Sequence, residues 1–266
     1  MSEWWWAYLA LGAFVGFLSG LLGIGGGSAM VPVLALIFAA KGFAVPYGVH
    51  LALGTSVATI LFTASSSVLS HHRHAAVNWG LMRMLVPGVM AGTFAGALLA
   101  GALDARLLSV VFTALIYYAA TLMLLERRPT AAGRAPAATL APSAAAAGIG
   151  LLSSLTATGG ASMVVAFLVR REVPVHEAIG TASGVSWALA AAGTTGYIAA
   201  GLGAGALPPW SIGFVYLPAL AWIAAASMLT APLGARLAHR TPARTLKRVF
   251  ALVLYALATW MLVRFF

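Results

Sequence analysis

From Ala178 to Ala235 the chain carries no Lys, Arg, Asp or Glu, and similar charge-free intervals cover residues 4–40, 42–72, 84–103, 107–125, 135–169 and 249–263. A helix that spans a bilayer needs about 20 predominantly apolar residues. This spacing of charge therefore predicts an all-α polytopic membrane protein. The composition agrees: 62% of residues are hydrophobic and 8% charged, where a soluble domain carries about 25% charged residues. The net charge of +10 does not indicate a nucleic-acid partner, because the 15 Lys and Arg sit in short clusters between apolar runs. That distribution orients helices in a lipid bilayer. The absence of cysteine excludes a disulfide framework, thiolate metal sites and a cysteine nucleophile. Trp4-Trp5-Trp6 near the N-terminus reads as an interfacial aromatic anchor rather than a cleaved signal peptide.

Some of these intervals exceed one span. The interval 178–235 divides at Gly201-Leu-Gly-Ala-Gly205 and Pro208-Pro209 into two ordinary helices. Intervals 4–40 and 135–169 are too long for one crossing and too short for two, and each is interrupted by glycine, at Gly23-Ile-Gly25-Gly26-Gly27 and at Gly159-Gly160. Paired, interrupted segments in corresponding halves point to a transporter binding site. The halves also correspond in sequence. Gly26-Gly27-Ser28-Ala29-Met30-Val31 matches Gly159-Gly160-Ala161-Ser162-Met163-Val164, and His50-Leu-Ala52-Leu-Gly54-Thr55-Ser56 matches His176-Glu-Ala178-Ile-Gly180-Thr181-Ala182. Two motifs recurring in order predict two fused copies of one unit. The expected organisation is a first transmembrane repeat over 1–125, a cytoplasmic linker over 126–139 and a second repeat over 140–266. Helical pieces are expected at 4–23 with 28–40, 48–70, 79–100 and 104–125, then 140–157 with 161–170, 177–200, 211–235 and 244–266.

Charge asymmetry selects the topology. If both interrupted segments go in and return, twelve of the basic residues share one side, leaving Lys41, Arg106 and Arg264 opposite. The positive-inside rule then makes the larger group cytoplasmic and puts both termini outside. A unit of one returning segment plus three spanning helices crosses an odd number of times, so the second copy is inverted, the usual build of secondary transporters.

An unwound glycine stretch at membrane depth is tolerated only where protein covers it or water reaches it. Both breaks are therefore expected at a central cavity. Each precedes a helix start, where the first N–H groups lack intrahelical partners and carry positive partial charge. Two such starts form an anion site. The candidate binding residues are Gly25, Gly26, Gly27, Ser28, Thr158, Gly159, Gly160 and Ser162, with Thr55, Ser56, Thr181 and Ser183 completing the cavity. The alternative for Ser and Thr is a bond to their own helix backbone. His50 and His176, at equivalent helix starts, are candidates for proton or anion coupling or for interfacial capping. His71-His72-Arg73-His74 reads as a solvated turn rather than a metal site, and no cofactor is expected. Asp104, Glu126, Glu172 and Glu177 all fall at predicted helix ends, so no carboxylate is expected at the depth a cation carrier would need. A nucleotide-binding loop and a serine-nucleophile motif are likewise missing from the sequence, which disfavours ATP-driven transport and a hydrolase built on Ser19 or Ser28 with His50.

The run Gly16-Phe17-x-Ser19-Gly20-x-x-Gly23-Ile24-Gly25-Gly26-Gly27-x-x-x-x-Pro32-Val33-Leu34, followed by Gly54-Thr55-Ser56, resembles the signature of the TauE/SafE family of sulfite exporters. In the second half Thr158-Gly159-Gly160-Ala161 stands in place of the glycine triplet. The resemblance implies a carrier in a bacterial-type plasma membrane that moves sulfite, sulfonates or related small sulfur-containing anions, often outward. The anion class follows independently from the helix starts; the sulfur chemistry comes from the resemblance alone. An anion channel, or a carrier of another small organic anion, is the alternative reading.

Overall fold

The computed structural model describes residues 4–22, 26–43, 46–73, 75–125, 142–205, 207–238 and 243–265. Gly25, His74 and the expected linker 126–139 lie outside the described residues. The described chain forms α1 (Trp5–Leu22), α2 (Gly27–Ala40), α3 (Gly48–Arg73), α4 (Trp79–Ala102), α5 (Ala105–Leu125), α6 (Pro142–Thr156), α7 (Ala161–Val169) and α8 (Val175–Gly201). These are followed by strands β1 (Ser211–Ile212) and β2 (Val215–Tyr216), then α9 (Leu217–Ala238) and α10 (Ala243–Phe265). The protein is an all-α multi-pass membrane protein. By length and composition α3, α4 and α5 can each cross a bilayer unaided, while α1, α2, α9 and α10 contain shorter apolar helical stretches.

The breaks fall where glycine predicts them, and one expectation is corrected. Residues 211–216 do not begin a helix; they form an antiparallel hairpin pairing Ser211 with Tyr216 and Ile212 with Val215. Pro208 and Pro209 cannot donate to a helical ladder. Gly213 turns the hairpin at φ +54°, and a Cβ there would lie 2.2 Å from the Ile198 carbonyl oxygen. The helix can start only after this turn, at Leu217.

Side-chain contacts give the course of the interrupted segments. Gly26 lies against Val15, two turns back from the end of α1. Lys41, just past α2, donates from Nζ to the hydroxyls of Tyr8 near the start of α1 (3.3 Å) and of Tyr216 (3.2 Å). α1 and α2 therefore form an antiparallel pair whose outer ends meet. The α6–α7 segment begins at the opposite end of the bundle. Ser143, Ala147 and Leu151 of α6 run alongside Gly88, Gly92 and Gly96 of α4 in the same direction, and α7 leads into α8 at the end where Asn78 meets Glu177.

The two halves use the same packing with roles exchanged. α1 packs most extensively on α9, and α4 on α6. In each case glycines on one helix admit the backbone of the other: Gly12 and Gly16 against Ile223 and Ser227, and Gly88 and Gly92 against Ser143 and Ala147. Lipid tails are as apolar as the side chains, so close van der Waals contact between small-residue faces is what holds such helices together. Between these pairs α3 packs on α8, and α5 packs on α10 through the Tyr117–Tyr255 ring pair, whose centroids are 5.1 Å apart.

The Gly-Thr repeat proves to be a latch. A Cβ at Gly54 would lie 2.2 Å from the Phe214 carbonyl oxygen, and one at Gly180 would lie 2.1 Å from that of Ala76. Next to them the Thr55 hydroxyl accepts from the Tyr216 N–H, and the Thr181 hydroxyl from the Asn78 N–H, each at 3.0 Å. The segments received are those that lead into α9 and α4. Each Gly-Thr pair thus pins the start of a helix from the other half, satisfying a backbone donor that helix formation leaves open.

Two outcomes follow. Gly92→Leu drives a side chain into the α6 backbone and lowers stability by about 1–3 kcal/mol or more, read as a reduced melting temperature in detergent; a leucine at Gly203, where nothing approaches a Cβ within 4 Å, leaves it unchanged. Thr55→Val strands the Tyr216 N–H and costs about 1–3 kcal/mol, whereas Thr55→Ser retains most of the stability.

Candidate functional site

The two interruptions meet. A Cβ on Gly27, the first residue of α2, would lie 2.1 Å from the carbonyl oxygen of Ala157, and Ile60 of α3 borders both Gly27 and Gly159. The first break thus touches the second at the middle of α3. Neither helix start has a side-chain cap: α2 begins after Gly26 and α7 after Gly160, with no side-chain hydrogen bond at either position. The turn before α7 is tightly wound. Ala157, Gly159 and Gly160 all have positive φ, at 49°, 71° and 66°. Glycine takes this conformation without penalty, whereas for Ala157 it is strained.

Beside this meeting point lies a narrow crevice of about 10 Å³, room for about one water molecule, bounded by α1, α2, α3 and α9, with Ser19, Gly26, Gly27, Thr59, Thr63 and Ser227 in its wall. Among the described residues none of its lining is charged. Three of its four hydroxyls are committed, Thr59 donating to the Thr55 carbonyl, Thr63 to that of Ile60 and Ser227 to that of Ala224. A hydroxyl that gives its proton to its own helix turns lone pairs outward and cannot donate to an anion. Ser19 makes no such bond among the described residues. The donors available in the crevice are therefore Ser19 and the open amides at the start of α2.

The other predicted residues are placed as follows. Gly26 and Gly27 line the crevice, and Ser28 is buried in the first turn of α2. Ser56 is fully buried one turn before Thr59, and its hydroxyl has no partner. Thr158 is buried beside Gly159 and Gly160. Thr156 donates to the Leu152 carbonyl, so the 3.1 Å contact between the two threonine hydroxyls has Thr158 as donor. Ser162 faces outward from α7. Thr55 and Thr181 serve the latches described above, and Ser183 donates to the Gly180 carbonyl at 2.7 Å.

The two repeat-equivalent histidines have unlike settings. His176 is exposed at the start of α8. His50 is buried, and its Nε2 lies 3.0 Å from the Leu103 carbonyl oxygen. A carbonyl only accepts, so Nε2 carries the proton and Nδ1 is left without a partner. His50 ties the start of α3 to the α4–α5 turn and packs against Phe214 and Tyr47. The described part of the histidine-rich turn, His71-His72-Arg73, closes α3, where His72 meets Trp79 edge-on.

Sequence reasoning missed Ser153. This α6 serine is fully buried, its hydroxyl has no partner, and it lies 2.9 Å from the position a Cβ on Gly160 would take. It also missed Thr59, Thr63 and Ser227 in the crevice wall. Helical periodicity from Ser56 could have reached Thr59 and Thr63; nothing in the sequence marks Ser227.

Comparison with known proteins agrees with a membrane transporter. The family described as Sulfite exporter TauE/SafE matches residues 8–261. A probable membrane transporter protein of Haemophilus influenzae is 35% identical over 253 residues, covering 94% of this chain and 95% of the relative. One of Methanocaldococcus jannaschii is 25% identical over 256 residues, covering 96% and 94%, and one of Bacillus subtilis is 27% identical over 241 residues, covering 88% and 90%. No solved structure matches. With its apolar helices, its paired interruptions and a match over nearly its whole length, the chain belongs to the TauE/SafE family of membrane transporters.

Proposed function

We propose that the protein is a secondary carrier that exports small sulfur-containing anions, such as sulfite or organosulfonates, by alternating access of two inverted repeats, 1–125 and 140–266. The observation that carries this reading is that the uncapped start of α2 at Gly27 touches the second interruption at the Ala157 carbonyl, four residues before the uncapped start of α7. Helix N-termini present open N–H groups and positive partial charge to a ligand. In the crevice, whose described lining carries no charged side chain, the dipole at the start of α2 supplies the attraction, with the start of α7 beside it. They favour an anion small enough to lie against glycine backbone and rich enough in oxygen to use several amides.

The inverted arrangement is supported by the interrupted segments starting from opposite ends of the bundle, by the exchanged α1–α9 and α4–α6 packings, and by the paired Gly-Thr latches. Rocking of one half against the other opens the meeting point first to one side and then to the other. The same reading puts both termini outside and the 126–139 linker in the cytoplasm of a bacterial-type cell.

Transport assays test the reading. Purified protein in liposomes is expected to exchange labelled sulfite or methanesulfonate, with uptake accelerated by the same anion inside. Single-channel currents in place of accelerated exchange identify a channel instead, and uptake of an unrelated organic anion with no response to sulfur oxyanions removes the substrate assignment. Saturating ligand is expected to stabilise the purified protein, by about 2.7 kcal/mol at 100 times its dissociation constant. The chain has no cysteine, so topology is read with single replacements. In intact cells Ser2→Cys is expected to react with a membrane-impermeant maleimide and Ala132→Cys to be protected; the reverse pattern inverts the orientation.

A further inference from the structure

Serine and threonine in a membrane helix normally donate to a carbonyl three or four residues earlier, and most in this bundle do. Ser154 donates to Leu151, Thr156 to Leu152, Ser186 to Ala182 and Ser227 to Ala224. Ser153 breaks the pattern, as Ser56 and Thr113 also do, and of these it is the one that lies against a helix-start glycine. It is 0% exposed and its hydroxyl has no hydrogen-bond partner. A buried, unsatisfied hydroxyl is destabilising, so the position calls for a reason. Its oxygen points at Gly160, lying 2.9 Å from where a Cβ on that residue would be, and Gly160 is the uncapped residue from which α7 begins.

The other break repeats the arrangement. Ser19, near the end of α1, has its Cβ 3.5 Å from where a Cβ on Gly26 would be, and Gly26 is the uncapped residue from which α2 begins. The spacing is the same in both halves: Ser19 precedes Gly26 by as many residues as Ser153 precedes Gly160. Both serines are on the first arm of an interrupted segment and face the start of the second arm. Neither helix start has a side-chain cap, so each serine stands beside a set of open amides. A hydroxyl proton and helix-start N–H groups converging on one point match the oxygen of an oxyanion, which accepts several hydrogen bonds at once.

We infer that Ser19 and Ser153 are paired hydroxyl donors, one per half, each binding an oxygen of a small oxyanion together with the first amides of the helix that follows it. This rests on the anion-carrier reading and adds to it two contact residues, Ser19 from within the first glycine motif and Ser153, which no motif marks. Cation ligands are a poor fit, because the amides beside each serine offer only donors.

The test is calorimetric titration of the purified full-length chain with sulfite and with methanesulfonate, alongside melting curves without ligand. Ser19→Ala and Ser153→Ala are each expected to weaken anion binding about tenfold or more, as loss of a hydrogen bond to a charged group does. Ser154→Ala, whose proton is spent on Leu151, is expected to bind as the unmodified protein does. The melting temperature of unliganded Ser153→Ala is expected to stay level or rise, because an unpaired hydroxyl has been removed from an apolar site. A merely structural serine gives the opposite sign. Unchanged affinity in both variants, loss in only one, or a fall in melting temperature for Ser153→Ala overturns the paired-donor assignment while leaving the carrier intact. If the unmodified protein binds neither anion, the carrier reading fails and the pair fails with it.

Discussion

Backbone amides that no helix can satisfy, held in a region where water is scarce, are the constraint on which this fold depends. A chain crossing a bilayer can leave such groups open only where protein covers them or a ligand completes them. Here both interruptions are brought together at one point, where the Ala157 carbonyl presses on Gly27 and Ile60 lies against both breaks. Everything around that point is arranged to permit it. The α1–α9 and α4–α6 pairs draw close through glycine so that the shorter arms α2 and α7 can reach the centre. The Gly-Thr pairs fix where α4 and α9 begin, and α9 is one wall of the crevice.

Most of the architecture was legible because charge and glycine are sparse and strictly placed. Lys41, Arg73, Arg83, Asp104 and Glu126 bound the first-half intervals, and α2 and α7 begin directly after Gly26 and Gly160, at the glycine interruptions. The hairpin at 211–216 escaped notice because Ser-Ile-Gly-Phe-Val-Tyr is as apolar as the helix that follows it, and its shape depends on Gly213 seating against Ile198. Hydropathy cannot separate the two.

The candidate site was legible at its glycines and less so at its hydroxyls. A threonine near the start of a membrane helix can face a substrate, its own backbone or a neighbouring segment, and the sequence is the same in each case. Thr55 and Thr181 face neighbouring segments. Ser153 was invisible for the converse reason: within Ser153-Ser154 one hydroxyl bonds back to its helix and the other does not, a distinction made by the packing around Gly160. The recurrence of the Gly-Thr motif was informative, but what recurs is a clamp on the opposite half.

The two ends of the bundle are fastened by different chemistry. At one, the Lys41 ammonium lies over the rings of Tyr8, Phe43 and Tyr216, between 4.9 and 5.5 Å from their centroids, and is held by two phenolic oxygens. At the other, the Asn78 amide donates to the Glu177 carboxylate. Loosening either end therefore breaks a different kind of bond, a cation–π cage at one and a charge-assisted amide–carboxylate hydrogen bond at the other, so the two ends need not yield under the same conditions.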